Sequence, residues 1–135
     1  MPIRLERSFE SAKVVSDWLS NHPLVSHVIW PFRGDFKQHD LARQQMQGCG
    51  GLFSFVLKDP AFDKIETFCN SLQHILMAVS WGGHESVIIP SIAALPENEY
   101  DAVNPNRYQL IRMYVGLEDP EYLIKDLEQG LARIL

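Results

Sequence analysis

Arg112 is the strongest candidate for a functional residue in this sequence, because it is a charged residue inside a predicted β-strand. Along the stretch Leu110–Asp119, apolar residues alternate with other residues, a pattern typical of a strand that buries one face. Arg112 lies on the face opposite the apolar row. Burying a guanidinium without a partner is costly, so its head either reaches water or faces an anion. Because a guanidinium binds a carboxylate through two parallel hydrogen bonds, Arg112 is a candidate carboxylate-binding residue.

A second candidate is the loop Ser80–Ser86, which follows another predicted strand and reads Ser-Trp-Gly-Gly-His-Glu-Ser. The hydroxyl or amide of Ser80 and the amide of Trp81 can complete a cradle for a carboxylate held by Arg112. A tryptophan beside two glycines has little sheet to pack on, which makes it a candidate wall of a ligand site. A solvated Arg112 and simple packing of Trp81 are the alternative interpretations. We predict a substrate-binding site formed by Arg112, Ser80 and Trp81.

The other polar residues do not form a recognisable catalytic or metal site. The five histidines include no pair at the i, i+4 spacing that binds a metal ion on a helix. Glu118 and Asp119 resemble an acid–base pair, but Asp119 precedes Pro120 and is better explained as a helix N-cap. The Gly48–Gly51 cluster precedes a predicted strand, which is the wrong context for a nucleotide-phosphate loop. We therefore predict no catalytic and no metal-binding residue.

Helices that alternate with four or five strands must position these candidates. Apolar spacing predicts a helix from Ser8 to about Asn21, with the charged residues 4–7 continuing it upstream, and a last helix after Asp119. Two shorter helices are predicted, one capped by Asp40 and one by Asp59 before Pro60. The predicted strands are Leu24–Trp30, Leu52–Leu57, Ile75–Val79, Val87–Ile89 and the Arg112 strand, with residues 95–109 forming a loop that holds about one helical turn. The pattern indicates an α/β (α+β) sandwich in which helices pack largely on one face of a single sheet.

Three motifs, in this order along the chain, carry a resemblance to a known family. They are Gly-Leu-Phe-Ser-Phe-Val-Leu at 51–57, Ser-Trp-Gly-Gly-x-Glu-Ser at 80–86 and Arg-x-x-x-Gly-Leu-Glu-Asp at 112–119. From about Leu5 to Leu135 the sequence resembles the C-terminal third of the cystathionine beta-lyase family, which are pyridoxal-phosphate-dependent enzymes of cysteine and methionine metabolism. Many relatives have leucine at the position of Trp81, and the tryptophan is more similar to the bacterial beta-lyase branch.

The resemblance implies a fold, a site and a missing part. The fold is a mostly antiparallel sheet, the small C-terminal domain of this class of enzymes, so residues 1–135 are expected to form one domain. In this family the arginine at the position of Arg112 holds the α-carboxylate of the amino-acid substrate, with Ser80 and Trp81 alongside. The lysine that binds pyridoxal phosphate lies upstream, in a sequence context that none of the lysines here has. We therefore expect the N-terminal cofactor-binding domain to be absent and no cofactor to bind this chain alone.

Composition and charge limit the kinds of partner and the cellular location that we expect for this protein. With 12 basic and 17 acidic residues, the formal net charge of −5 argues against nucleic acid as a partner. No apolar run approaches the ~20 residues that a membrane helix needs. Cys49 and Cys69 match neither a zinc site nor a disulfide framework, and Cys69 lies on the apolar side of a predicted helix, so a cytoplasmic location is expected. Apolar residues that would pack on the missing domain predict a homo-oligomer.

Three functional hypotheses follow from these observations. The first is a piece of a carbon–sulfur lyase, inactive alone, that binds a cystathionine-like substrate; the intact family enzyme cleaves cystathionine to homocysteine, pyruvate and ammonia. The second is a free-standing small-molecule-binding or regulatory module that holds an amino acid through Arg112. The third is a structural remnant without activity. A reading frame that encodes the lysine-bearing domain would favour the first hypothesis, and amino-acid titration of the isolated chain would separate the second from the third.

Overall fold

The computed structural model of the protein describes residues 2–101 and 107–135. Within these residues the chain forms one sheet and several helices. The α-helices are α1 (Pro2–Asn21), α2 (His39–Gln45), α3 (Phe62–Ser71) and α4 (Pro120–Ala132). The strands are β1 (Val25–Ile29), β2 (Leu52–Leu57), β3 (Leu76–Met77), β4 (Val87–Pro90) and β5 (Ile111–Tyr114). The predicted α/β class is confirmed.

The sheet places the Arg112 strand at its centre, because the strand order is β1-β2-β5-β4-β3. The pairs β1–β2, β2–β5 and β5–β4 are antiparallel, and only β4 and β3 run parallel among the described strands. The expectation of a mostly antiparallel sheet is therefore confirmed. In this register Arg112 lies between Ser54 of β2 and Ile89 of β4.

One face of the sheet builds the hydrophobic core with α1, α3 and α4. The residues that the three central strands contribute to this face are buried, and they form one cluster with buried residues of the three helices. They are Phe53, Phe55, Leu57, Ile88, Ile111 and Met113. Each large apolar side chain removed from water contributes about 1.5–3 kcal/mol, so this face sets the register of the strands. Since side chains alternate along a strand, Arg112 between Ile111 and Met113 must emerge on the other face.

The predicted helix starts were partly wrong. The last helix begins as expected, with the Asp119 carboxylate accepting a hydrogen bond from the Glu121 amide at 2.8 Å. Gln38, not Asp40, occupies the N-cap position of α2, and Asp40 lies inside its first turn. The N-cap residue of α3 is Ala61 instead of Asp59. Asp59 instead accepts a hydrogen bond from the Ala61 amide at 3.2 Å, just before the helix, and the Pro60 carbonyl oxygen accepts one from the Tyr100 hydroxyl.

Several segments differ in length from the prediction. α1 already includes Pro2, so the charged residues upstream of Ser8 continue the helix as expected. Only residues 76–77 of the predicted strand Ile75–Val79 form β3, since the Ile75 amide donates to Asp126 and the strand has one neighbour. The predicted loop 95–109 contains short 3-10 turns at Glu97–Glu99 and Arg107–Gln109, and its residues 102–106 lie outside the described part.

Candidate functional site

Arg112 is half-buried in the middle of the sheet, on the face that the helices leave open. Its neighbours Ile111 and Met113 are fully buried on the opposite face, so the strand holds the start of the arginine side chain firmly. At its end, the guanidinium donates a hydrogen bond from Nη2 to the carbonyl oxygen of Val79. Val79 directly precedes Ser80 in the chain. The structure therefore brings the head of Arg112 to the start of the Ser80–Ser86 loop.

A shallow cleft of about 330 Å³ opens beside Arg112. Apart from the arginine, the residues that line it are uncharged and small or apolar: Val79, Ile89, Pro90, Ser91, Ala93 and Ala94. Apolar walls lower the local dielectric constant, which strengthens an ion pair at the guanidinium compared with the same pair in water. A carboxylate that enters this cleft meets Arg112 as the one charged group among the described lining residues.

Ser80 and Trp81 lie at the edge of this site rather than inside the cleft. Ser80 is exposed and follows the carbonyl that accepts from Arg112. The Trp81 side chain is 55% exposed, and its ring lies 6.1 Å from the ring of Tyr114 at an angle of 37°. Tyr114 shares a sheet face with Arg112, two residues further along β5. The loop thus carries its serine and its indole to the Arg112 face of the sheet, while the predicted carboxylate cradle stays a prediction.

Sequence reasoning missed the group that fastens this loop to the sheet. The Glu118 carboxylate accepts hydrogen bonds from the backbone amide and the hydroxyl of Ser86, both at 2.7 Å. The Ser86 oxygen in turn accepts from the Gly116 amide at 2.8 Å. The Glu118–Asp119 pair is visible in the sequence, but nothing local in it indicates that Glu118 binds a serine 32 residues away.

No metal site accompanies these residues: within residues 2–101 and 107–135, histidines, cysteines and carboxylates form no group of three that could hold an ion. His84 is exposed, with its Nε2 3.5 Å from a carboxylate oxygen of Glu85. Cys69 is buried against the core as expected, and this burial raises the pKa of its thiol to about 12. In the part of the chain that the structure describes, no helix is both long and apolar enough to span a membrane.

Comparison with known proteins identifies the family. The sequence profile described as "Cys/Met metabolism PLP-dependent enzyme" matches residues 1–132, nearly the whole chain. The chain belongs to this family. The resemblance stated from the three motifs is confirmed, and the Arg112 strand and the Ser80–Ser86 loop are thus parts of a pyridoxal-phosphate-dependent enzyme fold.

The chain is similar to both kinds of cystathionine lyase. It is 38% identical over 135 residues to cystathionine gamma-lyase of Sus scrofa, covering 97% of this chain and 33% of that protein. It is also 38% identical over 139 residues to cystathionine beta-lyase MetC of Escherichia coli, covering 98% of this chain and 34% of that protein. Overall identity therefore does not separate the two reactions. The chain spans about one third of the length of these relatives.

The lysines of this chain do not fit covalent attachment of pyridoxal phosphate. A Schiff-base lysine must lie in a pocket that desolvates it and lets its amine react. Lys13 pairs with Glu10 at 2.7 Å, and Lys64 donates to the backbone carbonyl of Ile134 at 3.0 Å. The remaining lysines are exposed on the surface: Lys37, Lys58 and Lys125. Among the described residues, no lysine lines the cleft beside Arg112.

Proposed function

We propose that this chain is the substrate-carboxylate-binding C-terminal domain of a pyridoxal-phosphate-dependent carbon–sulfur lyase of the cystathionine lyase type. It acts together with a partner segment that carries the cofactor and its lysine, and it is inactive alone. The observation that carries the proposal is the position of Arg112: a guanidinium anchored at the centre of a rigid sheet, with its head in an apolar cleft. Family membership supplies the chemical context.

The task of Arg112 in this proposal is to hold and orient the substrate. A guanidinium has five N–H donors, so the bond to Val79 uses one of them and leaves donors for both oxygens of a carboxylate. Holding the α-carboxylate in this way restricts rotation of the amino acid about its Cα, which is where the reaction begins. Pyridoxal phosphate provides the electron sink in such enzymes, and the partner segment would hold it.

The substrate is a cystathionine-like amino acid, and the reaction is cleavage of a carbon–sulfur bond. We favour the beta-lyase reaction, which yields homocysteine, pyruvate and ammonia, because Trp81 resembles the bacterial beta-lyase branch at a position where many relatives have leucine.

The proposal also includes a cytoplasmic location and assembly of the protein into a homo-oligomer. Exposed apolar residues at the β3 edge and the following loop support association: Leu76, Met77, Val79 and Trp81.

Replacement of Arg112 tests this function in a protein that joins the chain to its cofactor-binding partner. Because a hydrogen bond to a charged group contributes about 1.5–3 kcal/mol, Arg112→Ala should lower kcat/KM for a carboxylate substrate by about tenfold to several hundredfold. The amide analogue of the substrate should lose far less. Arg112→Lys should restore only part of the activity, since a point charge cannot form the bidentate pair.

The cofactor absorption spectrum is the control for this experiment, and it should be the same in all variants. Equal losses on the carboxylate and the amide substrates would show that Arg112 serves the fold or another group, and the proposed function would then be wrong. A free-standing amino-acid-binding module predicts instead that the isolated chain binds an amino acid in solution. Titration of the 135-residue chain, with Arg112→Ala as its matched control, distinguishes that second function.

A further inference from the structure

The carboxylate of Glu118 is fully engaged by one residue of the Ser80–Ser86 loop. Its two oxygens accept separately from the amide and from the hydroxyl of Ser86, each at 2.7 Å. Ser86 is only 1% exposed, so water competes little for these bonds. Hydrogen bonds to an ionised group are about twice as strong as neutral ones, which makes this contact the strongest polar link between the loop and the segment after β5.

Ser86 has a defined donor direction in this contact. Its oxygen accepts from the Gly116 amide at 2.8 Å, and its hydroxyl hydrogen is then directed to Glu118. Both groups that face the carboxylate are therefore donors. A carboxylate places an acceptor oxygen opposite each of them, whereas glutamine in the same position would place an NH₂ group, a donor, opposite one.

Gly116 allows the two segments to approach closely enough for this contact. A Cβ atom at this position would lie 2.2 Å from the carbonyl oxygen of His84. The same carbonyl accepts a hydrogen bond from the Leu117 amide at 2.8 Å. The loop end around residues 84–86 thus lies directly against residues 116–118, with no space for a side chain between the two backbones.

The other end of the loop is held by the same strand. Arg112 donates to Val79, and the Tyr114 hydroxyl donates to the carbonyl of Gly83 at 3.1 Å. The indole of Trp81 rests against the ring of Tyr114. One continuous segment, residues 112–118, therefore carries the guanidinium and also holds the loop at its beginning, middle and end.

From this geometry we propose that Glu118 is a positioning residue for the carboxylate site: by binding Ser86 it fixes the Ser80–Ser86 loop, and with it Ser80 and Trp81, relative to Arg112. Glu118 does not contact the cleft, and both of its oxygens are engaged, so it acts through the loop and not on the substrate. This inference rests on the proposed function of Arg112. Without the Glu118–Ser86 contact, the loop would keep its hydrogen bonds at Val79, Gly83 and His84, but Ser86 would be held only by its bond from the Gly116 amide.

The experiment compares Glu118→Ala and Glu118→Gln with Asp119→Ala, a matched control. Asp119 is the neighbouring carboxylate, and it caps α4 without contacting the loop. Amide exchange is measured on the 135-residue chain. The ratio of kcat/KM for the carboxylate substrate to that for its amide analogue is measured in the protein that includes the cofactor-binding partner. A role in the fold alone would leave this ratio unchanged.

For Glu118→Ala we expect the protection of the Ser86, Gly116 and Leu117 amides to fall by about tenfold or more, equivalent to one charge-assisted hydrogen bond. The carboxylate-to-amide ratio should fall about three- to tenfold through a higher KM, and Glu118→Gln should lie between Glu118→Ala and the unmodified chain. Asp119→Ala should lower protection only in the first turn of α4. It should leave the ratio as it is.

Two outcomes would overturn the proposal in distinguishable ways. If Arg112→Ala lowers the ratio but Glu118→Ala leaves it unchanged, Glu118 serves stability alone and only this inference fails. If Arg112→Ala itself leaves the ratio unchanged, the proposed function fails and this inference fails with it. Should Glu118→Ala not fold, the same two comparisons are made with Glu118→Gln, whose smaller loss of contacts preserves one hydrogen bond to Ser86.

Discussion

Asp126 offers a prediction about stability that follows directly from its contacts. This carboxylate on α4 is only 2% exposed. One of its oxygens accepts from the Gln73 amide at 2.8 Å and from Gln129 at 3.0 Å, and the other accepts from the amides of His74 at 2.9 Å and Ile75 at 2.8 Å. The residue thus joins α4 to the connection that leads into β3.

The charge of Asp126 is stabilised in the folded state. Burial by itself raises the pKa of Asp126, but the hydrogen bonds from the three backbone amides and Gln129 outweigh it, so the pKa lies below its ordinary value of 3.8. A folded-state pKa below the unfolded value adds stability at pH values above the unfolded pKa. That contribution is lost as the pH falls through 3.8 towards the folded pKa.

Asp126→Asn removes this charge with the smallest change in the shape of the side chain. The amide oxygen can replace one carboxylate oxygen, but the NH₂ group cannot accept, so the backbone donors on that side lose their partner. Since a hydrogen bond to a charged group contributes about 1.5–3 kcal/mol, we expect the free energy of unfolding to fall by about 2–4 kcal/mol at pH 7. For a domain whose total stability is about 5–15 kcal/mol, that loss is large.

Urea unfolding followed by tryptophan fluorescence at pH 7, 5 and 3 measures this effect. The difference between the unmodified chain and Asp126→Asn should be largest at pH 7 and should shrink below about pH 4. Asp119→Asn is the matched control, because asparagine is also a good N-cap residue and the change should cost under about 1 kcal/mol. A loss at pH 7 within 0.5 kcal/mol of this control, or a difference that stays constant down to pH 3, would refute the reasoning.

Two further predictions concern the cofactor and the assembly of the isolated chain. Treatment with pyridoxal phosphate and borohydride, followed by peptide mapping, should give scattered partial labelling, because no lysine lies in a desolvated pocket; one lysine modified stoichiometrically would contradict this. Sedimentation should show association that increases with concentration, driven by the exposed apolar residues around Val79 and Trp81, and Trp81→Ser should weaken it. A clean monomer over a wide concentration range would count against that surface.

Local patterns in the sequence were sufficient for most elements of the fold. The apolar run Leu52–Leu57 became β2 with the predicted bounds, and the Asp119–Pro120 pair caps α4 as predicted. The same pair at Asp59–Pro60 misled: the Asp59 carboxylate accepts from the Ala61 amide, but the helix begins only at Phe62, with Ala61 as its N-cap residue. An aspartate followed by proline can thus close a turn just before a helix as well as cap the helix itself.

For the candidate site, too, the sequence determined one part and the tertiary structure another. Alternation along a strand determined that Arg112 emerges opposite the core, since the period of two allows no other face once Ile111 and Met113 are buried. Only the tertiary structure determined which groups surround Arg112. The strand order that places β4 beside β5, the bond from Arg112 to Val79 and the Glu118–Ser86 contact all join residues about 30 positions apart. Such pairs leave no periodic trace in a sequence, because hydrogen bonds between distant groups depend on how the whole core packs.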